Sequence, residues 1–110
     1  MKTGAVSVVQ PEMGRTGITQ FLRICQLAEV HHVRVAPHAT IGFGVFLAAS
    51  LHASAAASML SLHEVQNHFV HRYLPHFDTA LRCEAGRYVM PEGPGLGITP
   101  KASMLEHAVG

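Results

Sequence analysis

The feature that most constrains this chain is a strand-and-helix alternation with a fixed step. Ala5 to Pro11 (AVSVVQP) is a short β-branched run stopped by proline, and Val33 to His38 (VRVAPH) is a second. Met59 to Val65 (MLSLHEV) reads as a third short strand. Between the first two, Ile18, Phe21, Leu22, Cys25 and Ala28 recur at helical spacing with Gln20, Arg23, Gln26 and Glu29 opposite, predicting an amphipathic helix over 18–31 after a turn at Gly14-Arg15-Thr16-Gly17. Between the second and third, Val45 to Ala57 consists of helix formers that are apolar nearly all round, as expected of a helix covered on both faces. Strand, helix, strand, helix, strand implies parallel strands joined by crossovers, the α/β class.

Polar residues at the strand ends keep the same step. Glu12, His38 and Glu64 are each 26 residues apart (38 − 12 and 64 − 38), one βα unit per interval. In a barrel of parallel strands the C-terminal strand ends converge on one mouth, where such folds place their chemistry, so the three residues are expected to be neighbours. A carboxylate beside an imidazole accepts the Nδ1 hydrogen, turns Nε2 toward a substrate and stabilises the imidazolium once a proton is taken. Glu64 could hydrogen-bond a substrate oxygen as the protonated acid, or serve as a second acid-base group.

Beyond the third strand the periodicity fades. Residues 67–77 hold His68, His71, His76 and Pro75 without a clean period and read as irregular or partly helical. Arg82 to Pro91 fits a hairpin turning at Ala85-Gly86, Glu92 to Pro100 (EGPGLGITP) reads as a Gly/Pro loop, and Lys101 to Val109 as a short helix.

Composition excludes several classes. With 110 residues, 48% hydrophobic content and 14% charge, the chain can bury a core and is not a disordered tail. A formal charge of +1 and no basic run give no footprint for nucleic acid. The N-terminal apolar stretch is too brief for a signal sequence or a membrane span, so a cytoplasmic protein with no membrane partner is the default expectation. Cys25 and Cys83 lack metal-ligand spacing and are read as reduced and structural, Cys25 on the apolar face of its helix. Of the nine histidines most are expected at helix ends and interfaces. His63-Glu64 with His68 does not have the four-residue His spacing of a zinc-protease helix, His68 and His71 read as exposed or interfacial, and Gly93-Pro94-Gly95-Leu96-Gly97 is a rigid turn rather than a phosphate loop.

Four motifs taken in order carry a more specific signal: Gln10-Pro11-Glu12 with Gly14 and Gly17-Ile18-Thr19; Ala36-Pro37-His38; Leu62-His63-Glu64; and Pro91-Glu92-Gly93-Pro94-Gly95-Leu96-Gly97. Together they resemble the closing third of mandelate racemase-like members of the enolase superfamily, over about residues 6–100. The resemblance implies the C-terminal portion of a (β/α)8 barrel, incomplete on its own, with residues 1–66 as the last three strands and their helices and 67–110 as a tail returning toward a capping domain. It also implies catalytic roles: His38 as base, Glu12 as its carboxylate partner, and Glu64 hydrogen-bonded to the substrate carboxylate. The implied reaction abstracts the proton next to a carboxylate of a sugar-acid or hydroxy-acid, with dehydration ranked above racemisation, epimerisation or cycloisomerisation. The implied cofactor is Mg2+, whose carboxylate ligands, like the second base, belong to strands that this chain does not contain. By itself the chain is therefore expected to be inactive, needing the missing N-terminal region or self-association; a noncatalytic truncated product is the alternative. Two departures stand out, Glu12 where the pattern has Asp and a single Gly17 where it has a Gly pair.

Overall fold

The computed structural model describes residues 4–39, 42 and 44–106. Residues 107–109 of the expected last helix lie outside that set.

Three parallel strand segments form the backbone of the fold. β1 (Val8–Val9) pairs with β2 (Arg34–Val35), Val35 bridges Leu60, and β3 (His38–Ala39) pairs with β4 (Glu64–Val65), all parallel. β2 and β3 are one strand interrupted at Ala36-Pro37, because proline has no N–H to donate to a ladder. Backbone bonds continue across the gap: Arg34 N to Ser7 O, Ala36 N to Val9 O and His38 N to Pro11 O, at 3.1, 2.9 and 3.0 Å. The α/β order expected from the sequence is thus present.

α1 (Met13–Val30) follows β1 and is broken at Gly17, whose φ of 73° and ψ of 159° only glycine adopts without strain. The break separates a first turn from the long helix, matching the turn expected at Gly14 to Gly17. Phe21, Cys25 and Ala28 face inward, whereas Ile18, assigned to the same stripe by spacing, is 52% exposed because it lies just past the break. α2 (Gly44–Ala55) packs against α1, and Met13, Phe21, Cys25, Ala28, Val33, Val35, Ala53 and Ala57 form a core between helices and strands. Burying Phe21 alone stabilises the fold by roughly 1.5–3 kcal/mol.

The segment after β4 covers the other side of α2. Leu47, Ala48 and Leu51 pack with Leu81, Val70, Leu74, Tyr88, Met90 and Ile98 in a second core. Two packed faces explain why α2 is apolar nearly all round. The partly helical reading of 67–77 agrees with the structure, whereas the loop reading of 92–100 is corrected at its end. Residues 67–77 are ordered as α3 (Asn67–Tyr73), a 3-10 turn (Leu74–His76) with Pro75 inside it, and the start of β5 (Phe77–Thr79). The expected Gly/Pro loop ends in β8 (Ile98–Pro100), which pairs antiparallel with β5. Both strands escaped notice because they are three residues long and their pairing partners are about twenty residues apart. The hairpin β6 (Arg82–Glu84) and β7 (Arg87–Val89) turns where expected, with positive φ at Ala85 and Gly86, and α4 (Ala102–Leu105) closes the described chain. No helix among the described residues is long and apolar enough to cross a membrane.

Candidate active site

Glu12 ends the first strand and caps α1 with extended backbone angles, φ −110° and ψ 115°. Its carbonyl accepts the amides of Arg15 and Thr16, while its side chain makes no capping bond and is free to turn toward the neighbouring strand end. There its Oε2 lies 3.1 Å from Nδ1 of His38. The Glu12 side chain is only 14% exposed and that of His38 36%, so the contact is shielded while the ring keeps an open side.

Arg15, one helical turn beyond, donates Nε to the same Glu12 oxygen at 3.0 Å. Burial alone would raise the Glu12 pKa, but the hydrogen bonds from His38 and Arg15 and the Arg15 charge outweigh it, holding the carboxyl below its ordinary range. An ionised carboxylate offers only acceptors, so Nδ1 carries the hydrogen and, in the neutral ring, Nε2 carries the lone pair. No hydrogen bond at Nε2 of His38 forms among the described residues. That arrangement leaves the Nε2 lone pair on the ring's open side.

Glu64 is the register partner of His38 on the third strand, as its 26-residue spacing implies. Its Oε2 accepts from Nε2 of Gln10, at 3.1 Å, reaching across the middle strand. No hydrogen bond joins Glu64 to His38 among the described residues, so the three strand-end residues are aligned but only two are in direct contact. Spacing missed the two partners. Gln10 stood in a quoted motif without a role, and Arg15 was read only as part of a turn. Its position three residues after Glu12 on a helix was the available signal.

The other motifs stay apart from this cluster. His63 lies beside the strand and His68 on α3, and among the described residues no three of His, Cys, Asp and Glu gather into a group that could hold a metal ion. Cys25 is buried, which pushes its thiol pKa up, and Cys83 is exposed; both are free thiols.

The family described as "Enolase C-terminal domain-like" matches residues 1–104. The chain is 36% identical over 107 residues to D-galactarolactone cycloisomerase of Agrobacterium fabrum, covering 89% of this chain and 28% of that protein. It is 33% identical over 105 residues to D-galactonate dehydratase of Ralstonia pickettii, covering 89% and 27%. A solved structure of an enolase superfamily member from Agrobacterium tumefaciens is 49% identical with a TM-score of 0.86, over 91% of this chain and 26% of that one. The chain thus spans little more than a quarter of the length of these relatives. With nearly its whole length matched by one family model, it belongs to the enolase C-terminal domain-like family, whose members similar to it include acid-sugar dehydratases and cycloisomerases.

Proposed function

We propose that this chain supplies the last three strand ends of an enolase-superfamily barrel that abstracts the proton α to the carboxylate of an acid sugar, and that the overall reaction is dehydration. The observation that carries the reading is the 3.1 Å pairing of His38 Nδ1 with Glu12 Oε2 at adjacent strand ends. In this reading Nε2 of His38 takes the α-proton, and the resulting imidazolium is held by the Glu12 carboxylate. The same proton then passes to the β-hydroxyl, which leaves as water, and the enol product tautomerises to a 2-keto acid. Glu64 forms a hydrogen bond with the substrate carboxylate, as the family resemblance implies. Residues 1–66 form the barrel portion and 67–110 the tail that returns toward a capping domain.

Among the described residues no group of His, Cys, Asp and Glu gathers that could hold the Mg2+ implied by the family, and no step above passes through one. Chemistry and metal both require protein beyond this segment, and the isolated chain is expected to be inactive. A second reading has its own support: the relative at 36% identity is a cycloisomerase. Product mass separates the two, because dehydration removes one water and isomerisation removes nothing.

The test is a His38→Asn substitution in the full-length enzyme carrying this segment. Loss of a general acid-base group is expected to lower turnover roughly 10²- to 10⁴-fold. A wild-type rate in that variant would exclude His38 as the base.

A further inference from the structure

The strand ending in Glu64 carries one residue more than its neighbour. Val35 pairs with Leu60, a difference of 25, whereas His38 pairs with Glu64, a difference of 26. Val35 N reaches Met59 O and Ser61 N reaches Val35 O, both at 2.9 Å, so an even parallel ladder would next bring the amide of residue 63 to Pro37 O. The donor found there is Glu64 N, at 3.0 Å. The extra residue is a bulge between Ser61 and Glu64, and bulges re-aim side chains. Without it, His63 would stand opposite His38 and Glu64 would point to the other face of the strand.

The backbone alone does little to choose between these registers, because β4 is only two residues long. What distinguishes them is a side-chain bond on the helix side. Nε2 of His63 lies 2.9 Å from Oγ of Ser50, a residue of α2 with no exposed surface. Ser50 is fixed in turn within its helix, its carbonyl accepting Oγ of Ser54 at 2.6 Å. This contact exists only when His63 faces α2, which is the register that turns Glu64 toward the His38 side.

We propose that the Ser50–His63 hydrogen bond locks the bulged register of the third strand, making both residues positioning residues for Glu64. The proposal rests on the reading of Glu64 as a site residue for its functional meaning, but the lock itself is a property of the fold. Losing the Ser50 hydroxyl takes from the half-buried His63 ring its partner at Nε2, beside a buried Nδ1 that already has none of ordinary geometry among the described residues. That penalty falls on the bulged register alone.

Amide hydrogen exchange of the full chain tests it. Ser50→Ala and His63→Ala are expected to speed exchange at Glu64 by about tenfold, while Ala36 and Ser61, bonded outside the bulge, keep their wild-type protection. His63→Gln, whose amide reaches the place of Nε2, is expected to hold Glu64 within about threefold of wild type. Unchanged Glu64 protection in Ser50→Ala, acceleration of all three amides together, or a His63→Gln variant as fast as His63→Ala would each overturn the lock. A Glu64→Gln enzyme with unaltered turnover would instead remove the catalytic reading of Glu64 and leave the lock standing.

Discussion

Replacing Gly14 by alanine should destabilise the fold, against the usual preference of a helix for alanine. Gly14 lies in the first turn of α1, two residues beyond Glu12, and a β-carbon there would overlap Phe46 Cε2 and sit 2.8 and 3.1 Å from Cδ2 and Cζ. The ring of Phe46 has little room to retreat, because on its other side a β-carbon built on Gly42 would lie 2.7 Å from Phe46 Cβ. Phe46 thus occupies a slot between two glycines, one after each of the strand ends that supply Glu12 and His38. Overpacking of this kind costs about 1–3 kcal/mol, and the gain from removing a helical glycine offsets about 0.5–1 kcal/mol of it. The net expectation is a loss of about 1–2 kcal/mol, or roughly 4–16 °C in melting temperature for a chain of this size. Urea denaturation followed by far-ultraviolet circular dichroism measures it. Phe46→Leu in the same background should restore at least about half the loss, since a smaller side chain clears the new methyl group, and the coupling in a double-mutant cycle should be favourable. A Gly14→Ala protein as stable as wild type would refute the slot, because helix propensity would then have prevailed over a contact that is not tight.

Acid should destabilise the fold in two steps. Burial pushes the His63 ring below its ordinary 6.5, partly opposed by the Glu64 backbone, so on acidification the unfolded chain takes the proton first. Stability from this group is complete above about pH 6.5 and is lost as pH falls through the depressed folded value. Glu12, held below its ordinary 4.5 despite the opposing effect of burial, adds a second loss that begins near that pH and ends at its lowered folded value. Equilibrium unfolding across pH should show both, and His63→Gln should abolish the first step alone; its persistence would assign it elsewhere. At the hairpin turn, Ala85 holds a φ of 47° next to Gly86 at 77°, a left-handed pair that suits Asn-Gly better than Ala-Gly. Ala85→Asn should raise stability by about 0.5–1 kcal/mol, read as a higher melting temperature, and an unchanged or lower value would contradict that turn geometry.

The parts of this molecule that could be read from the sequence are those fixed by local rules. Proline stops, glycine turns and helical spacing located β1, α1, α2 and the hairpin, and the constant step of 26 residues placed Glu12, His38 and Glu64 in one row of the sheet. What escaped depended on contacts between distant segments. β5 and β8 are too short to show a period and exist because each is the other's partner. Arg15 gained its role from Glu12 turning toward His38, which no spacing reveals. The third strand is the most instructive case. It read as one uninterrupted run from Met59 to Val65, and the equal intervals to Glu64 looked like the signature of regular ladders. The regularity of those intervals in fact depends on an irregularity: only the residue inserted between Leu60 and Glu64 raises a spacing of 25 to 26 and brings Glu64 into line with His38. A sequence interval records where a residue ends up, and a ladder with a bulge can produce the same interval as one without. The cue that distinguished them was His63, a polar residue where an even alternation would have set a side chain facing the site, and its partner Ser50 lies on a helix 13 residues earlier.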